Sequence, residues 1–260
     1  MLPSAPLPYM ITAPDGLQLA TYEIGDADAA PVVLVHGFAS SAELNWVLTG
    51  WSRELTRAGW RVLALDQRAH GASDKPHEAS AYTMAALVAD VLTLLDAYGV
   101  ASAPLVGYSL GARVAWQAAL AEPGRVTRAV LGGIPAGDPL ARFDLEAARA
   151  FAADRTPIGD ALTRTFIEMA AGLEGNDLWA LIALVEGMRG GDQAGFERSP
   201  SQPLLLATGS ADPVLDQSRA LAAAASDARF LEIPGRHHFN APTARAFRQG
   251  AIEFLREGRV

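Results

Sequence analysis

Apolar residues recur along this chain in two alternating rhythms. Strand-like runs stand at PVVLVHG (31–37), WRVLALD (60–66), APLVGYS (103–109), VTRAVLGGI (126–134), PLLLATGSAD (203–212) and ARFLEIPG (228–235). The first of them, PVVLVHG, is a continuous β-branched run of the type buried on both faces of a parallel sheet. Between them the apolar positions fall at helical spacing around 43–58, 110–121, 217–225 and 243–256. The clearest case is Met84, Leu87, Val88, Val91, Leu92, Leu95 and Tyr98, with Thr83 placed to cap the helix and Gly99 to stop it. Ahead of all these, YMITAP and LQLATYEI flank Asp15-Gly16, the pattern of a β-hairpin.

Two hairpin strands and six further runs make eight strands. Their alternation with helices predicts an α/β fold: a mostly parallel eight-stranded sheet with helices on both faces, joined by right-handed crossovers. The rhythm lapses after the sixth strand. From Gly137 to Ser199 there are only helical patterns, near 144–153, 158–173 and 177–189. The expected division is a core of 1–136 and 200–260 with a helical cap of 137–199 inserted into it.

Composition narrows the function classes. The chain of 260 residues has no cysteine, which removes disulfides, thiolate metal sites and a cysteine nucleophile. Half the residues are hydrophobic, enough for a core, so disorder is excluded. The formal net charge is −8, and Lys75 is the single lysine. An acidic chain without a basic run lacks the counterion-releasing surface that nucleic-acid binding requires. No uncharged apolar stretch reaches membrane-spanning length. The opening MLPSAPLPYM has neither a basic nor an apolar leader region, so a cytoplasmic chain is expected.

Gly107-Tyr108-Ser109-Leu110-Gly111 fits G-x-S-x-G, and its position adds weight: it ends a strand and opens an apolar helix. A serine on such a sharp turn needs small neighbours two residues to either side, where the chain packs against itself. It also stands at a helix N-terminus, whose unpaired N–H groups can face a developing oxyanion. An activated serine needs a base, and the base a carboxylate. Of the five histidines, His36, His237 and His238 closely follow strands, at the end of the sheet where α/β sites lie. His36 precedes Gly37 in a segment better suited to supplying backbone donors, which leaves His237 or His238 as the base. Asp212 lies at another strand tip, in Gly-Ser-Ala-Asp-Pro.

Five landmarks in order carry a resemblance over nearly the whole chain: His36-Gly37-Phe38, the segment Asp66-Gln67-Arg68-Ala69-His70-Gly71-Ala72-Ser73, the Ser109 elbow, Asp212, and Pro234-Gly235-Arg236-His237-His238-Phe239. With these the chain resembles the serine hydrolases of the α/β-hydrolase fold, esterase-like and with a small helical lid. The resemblance implies Ser109 as nucleophile, Asp212 as acid and His238 as base, because the family's histidine precedes an apolar or aromatic residue. It further implies an oxyanion hole from the backbone N–H groups of Phe38 and Leu110, with His36 and Gly37 shaping that loop. Ala69 and Ala112 stand where the family usually has glycine, small changes expected to trouble the fold little. The segment 38–41 lacks the family's usual proline or glycine.

The implied activity is cleavage of a small-to-medium, largely apolar carboxylic ester through an acyl-enzyme, without metal or other cofactor. The partner is then a small-molecule substrate, and the protein a monomer or homodimer. The same three residues could instead serve carbon–carbon bond hydrolysis of a diketone or perhydrolase/haloperoxidase-like chemistry. A ligand receptor with little turnover is the alternative of another class. The inserted segment is the expected specificity element, with Phe143, Phe151, Phe166, Met169, Trp179, Leu184 and Met188 supplying apolar bulk. Of these, Phe143, Phe166 and Trp179 are candidate pocket residues, together with His36, Gly37 and Trp46. Arg142, Arg155 and Arg164 could pair with an anion, although solvated surface positions suit them better.

Overall fold

The computed structural model describes residues 6–258. The opening MLPSA and the last two residues of the expected core lie outside the described residues. Strands β1 (Tyr9–Thr12) and β2 (Gln18–Ile24) form the antiparallel hairpin. Six more follow: β3 (Ala30–Val35), β4 (Trp60–Leu65), β5 (Ala103–Tyr108), β6 (Val126–Gly132), β7 (Leu204–Gly209) and β8 (Ala228–Ile233). The sheet order is β1-β2-β4-β3-β5-β6-β7-β8, and every pairing from β4 onward is parallel. Because side chains alternate along a strand, each interior strand feeds two cores. Val33, Val35, Leu63, Leu65, Leu105 and Leu131 enter one, while Val32, Leu34, Val62, Val106 and Val130 enter the other.

The first core is covered by α2 (Met84–Ala97), α3 (Leu110–Ala121) and α7 (Leu215–Ala224). The second is covered by α1 (Trp51–Arg57) and α8 (Arg245–Arg256). Thr83 caps α2 through its hydroxyl, which accepts from Ala86 N–H at 3.1 Å. The helical pattern around 43–58 divides in two. A single π turn, Glu43–Val47, is separated from α1 by Gly50, whose φ of 83° no continuing helix allows.

Three helices stand between β6 and β7: α4 (Leu145–Asp154), α5 (Ala161–Ala171) and α6 (Leu178–Met188). Each begins at an aspartate, Asp144, Asp160 or Asp177, whose carboxylate accepts a backbone N–H of the first turn. Among the described residues no helix is long and apolar enough to cross a membrane.

Two expectations need correction here. Trp46 was expected near the pocket, yet it is fully buried in the second core, 5.4 Å from the Trp51 ring. Ala69 is not a neutral replacement for glycine: its φ is 73°, in the left-handed region that a Cβ makes unfavourable by about 1–2 kcal/mol. The surrounding backbone fixes it there, with Ala69 N–H donating to Asp74 O at 3.0 Å.

Candidate active site

Ser109 links β5 directly to α3 in a sharp turn, with φ 53° and ψ −110°. This conformation lies outside the regions that L-residues ordinarily occupy, and strain of this kind persists only where the surroundings enforce it. Here the enforcement comes from backbone on both sides. A Cβ on Gly107 would lie 2.2 Å from Gly111 O, and one on Gly111 would lie 1.9 Å from Val35 O. The two glycines let strand, turn and helix close on one another. Ser109 N–H donates to Gly132 O at 2.8 Å, while Ser109 O accepts from the N–H groups of Ala112 and Arg113.

The loop after β8 brings His238 to this turn. Its Nε2 lies 2.8 Å from Ser109 Oγ, and its Nδ1 lies 2.8 Å from Asp212 Oδ2. The Asp212 side chain is wholly buried; its other oxygen accepts Val214 N–H at 3.0 Å. A carboxylate held in this way fixes the proton on Nδ1 and leaves Nε2 to accept from the serine. The Tyr108 hydroxyl donates to His238 O and anchors the loop. His237 points elsewhere: it is exposed, and its ring Nδ1 accepts Phe239 N–H. The structure therefore brings Ser109, His238 and Asp212 together and leaves His237 outside their hydrogen bonds.

The loop after β3 is held by two buried histidines. His36 Nε2 accepts Gln67 N–H at 3.0 Å, and its Nδ1 donates to Gly37 O at 2.7 Å. His70 Nε2 accepts Ala39 N–H at 3.0 Å, and its Nδ1 donates to Arg68 O at 2.9 Å. Gly37 N–H is taken by the Asn45 side chain. Phe38 N–H, between these engaged neighbours, has no acceptor among the described residues, and neither has Leu110 N–H at the start of α3. Phe38 and Leu110 line the larger cavity together with Ser109.

His36 thus braces the loop from within the core and does not line either cavity beside Ser109, contrary to its expected pocket position. Burial pushes the pKa of His36 down, against an opposing pull from Asp66. Burial, and next the neighbouring His36, lowers His70 to about 3. Both rings are neutral in the fold but bind protons when it unfolds. Their contribution is therefore complete above the unfolded value near 6.5 and is lost as the pH falls toward 3. The melting temperature should decline from pH 6.5 to pH 4.5. A flat profile across that window in a thermal-denaturation series would contradict this role.

Two cavities meet at Ser109. The larger, about 690 Å³, lies under α5 and α6 and is walled by Leu140, Phe166, Leu184 and Met188, with Arg113, Asp138 and Asp212 as charged members. The smaller, about 350 Å³, is formed by Gly37, Phe38, Leu44, Met169 and Phe239. Phe166 borders both and stacks edge-on with Phe38 at 5.7 Å, and Gly37 borders the smaller one. Phe143 and Trp179 do not line them. Phe143 is packed inside the first core, whereas Trp179, on the first turn of α6, is 42% exposed to solvent. Among the described residues, no three His, Asp or Glu side chains converge as metal ligands.

The comparisons with known proteins agree with this architecture. The sequence model of the alpha/beta hydrolase fold family matches residues 30–161. Epoxide hydrolase A of Mycobacterium tuberculosis is 38% identical over 122 residues, 47% of this chain and 37% of that protein. The non-heme chloroperoxidase of Streptomyces lividans is 36% identical over 160 residues, 56% of this chain and 55% of that one. The chain thus spans about a third to a half of the length of these curated relatives. A solved hydrolase from Pseudomonas aeruginosa superposes with a TM-score of 0.75 at 27% identity, over 95% of this chain and 98% of that one. With the strand order, the Ser109 turn and the family match all pointing one way, this chain belongs to the α/β-hydrolase fold family.

Proposed function

We propose that the protein is a serine hydrolase acting on carboxylic esters of small-to-medium substrates. The observation that carries this reading is the unbroken run of hydrogen bonds from Ser109 Oγ through His238 to buried Asp212, opening on two cavities. Ser109 Oγ attacks the ester carbonyl carbon as His238 Nε2 takes its proton. Phe38 and Leu110 N–H groups receive the carbonyl oxygen as it becomes an oxyanion. The tetrahedral species collapses, the alcohol leaves with the proton returned by His238, and the acyl group stays on Ser109. Water, deprotonated by His238, then releases the acid and restores the serine. Segment 137–199 acts as the cap that shapes the acyl and alcohol spaces.

The epoxide-hydrolase relatives suggest another reaction, but the residue at the elbow argues against it. Attack of a serine on an epoxide carbon would leave an alkyl ether, which has no carbonyl for water to attack. An acyl-enzyme on Ser109 has one. The chloroperoxidase relative favours one variation on the same intermediate, in which hydrogen peroxide replaces water and releases a peracid. Rapid quenching of a p-nitrophenyl ester reaction, followed by peptide mass analysis, should find the acyl group on Ser109. Peracid formed on adding peroxide, faster than acid in its absence, would favour the perhydrolase reading. Acyl transfer to no residue would rule out both.

A further inference from the structure

Arg113 has an environment that the scheme above does not use. It lies on the otherwise apolar first turns of α3, four residues and about 6 Å of helix rise beyond Ser109. It is 3% exposed and forms part of the wall of the larger cavity. Its guanidinium donates to the Gln193 side-chain oxygen, a neutral acceptor, while its buried Nε has no partner among the described residues. The contrast with Arg68 is informative. That equally buried side chain grips Asp90 with two nitrogens, both at 2.7 Å, and reaches Asp15 at 2.8 Å. Arg113 forms no ion pair among the described residues. Asp138, on the same cavity wall, acts on it only from beyond ion-pair distance.

A buried cation without a counter-ion is costly to keep, and its planar fork is suited to a carboxylate held by two parallel N–H donors. Burial lowers its pKa to about 10, with Asp138 opposing, so it stays charged at neutral pH. Arg142, Arg155 and Arg164 are exposed on the inserted segment and line neither cavity.

We propose that Arg113 anchors a carboxylate carried by the part of the substrate that fills the larger cavity. The preferred esters are then half-esters of short dicarboxylic acids, or esters whose alcohol bears a carboxylate. This rests on the ester-hydrolase reading for its reaction but not for its binding site. The test compares p-nitrophenyl hemisuccinate with its methyl-capped counterpart, and 4-carboxyphenyl butyrate with its methyl ester. In parallel, calorimetry measures glutarate and neutral glutaramide binding to the Ser109→Ala protein.

The expected result is at least a tenfold higher kcat/KM for the charged member of one pair, carried mainly by KM. Arg113→Met should bring that ratio close to one, and Arg113→Lys should restore part of it. Equal or better turnover of both neutral members would overturn the carboxylate anchor while leaving the hydrolase reading in place. No turnover of any ester, with glutarate still bound in an Arg113-dependent way, would keep the anchor and remove the hydrolase reading. Neither turnover nor binding would remove both. The wild-type preference decides the matter even if a position-113 variant does not fold.

Discussion

Ser109→Ala is expected to lower kcat for any ester the protein cleaves by about 10⁴-fold or more, with the fold unchanged. The size follows from the scheme: without Oγ there is no covalent intermediate, and His238 and Asp212 have nothing to activate. What survives is the contribution of the oxyanion donors and of binding, which act on water attack alone. The fold should survive because alanine removes one oxygen from a side chain whose backbone is already fixed by Gly132 O and by α3. Steady-state kinetics with a melting curve on the same sample separates loss of chemistry from loss of structure. Comparable turnover by the variant and the parent would exclude Ser109 as nucleophile.

The two adjacent histidines should differ just as sharply. His238→Ala is expected to cost a similar factor of about 10⁴, since it removes the imidazole bonded to Ser109 and strands the buried Asp212 carboxylate. His237→Ala should stay within about tenfold of the parent, because its ring borders the larger cavity without touching the serine or the acid. The ratio of the two kcat values is the measurement. The reverse ranking would show that His237, not His238, is the base.

Much of the sheet could be read from its apolar runs, because β3, β5 and β7, buried over most or all of their length, have almost no polar positions, whereas the more exposed β8 carries Arg229 and Glu232. The 110–121 helix pattern coincides with α3 as observed. The placement of Ser109 also follows from local chemistry: no residue larger than glycine fits at 107 or 111, so the motif implies its own turn. Choosing between His237 and His238 required family resemblance, since both follow the same strand and only the three-dimensional path of the loop distinguishes them.

The pocket was far less legible, for a physical reason. An aromatic residue satisfies its hydrophobicity equally well in a core or in a cavity wall. Trp46 and Phe143 went to the core and Phe166 to the wall, and nothing in their spacing separates the two outcomes. Trp179 sits on the first turn of α6, exposed beside the fully buried Ala180 and Leu181. Arg113 did leave a signal, a lone charge inside LGARVAWQAAL. Its meaning depended on whether a carboxylate packed against it, which only the tertiary structure could answer.

Activation of Ser109 is the claim on which the rest depends, and a fluorophosphonate probe tests it without knowledge of the substrate. The reagent should label the parent protein once per chain, with the adduct mapping to the peptide that contains Ser109 and absent from Ser109→Ala. An unlabelled protein, or a label carried by a different serine, would contradict the account.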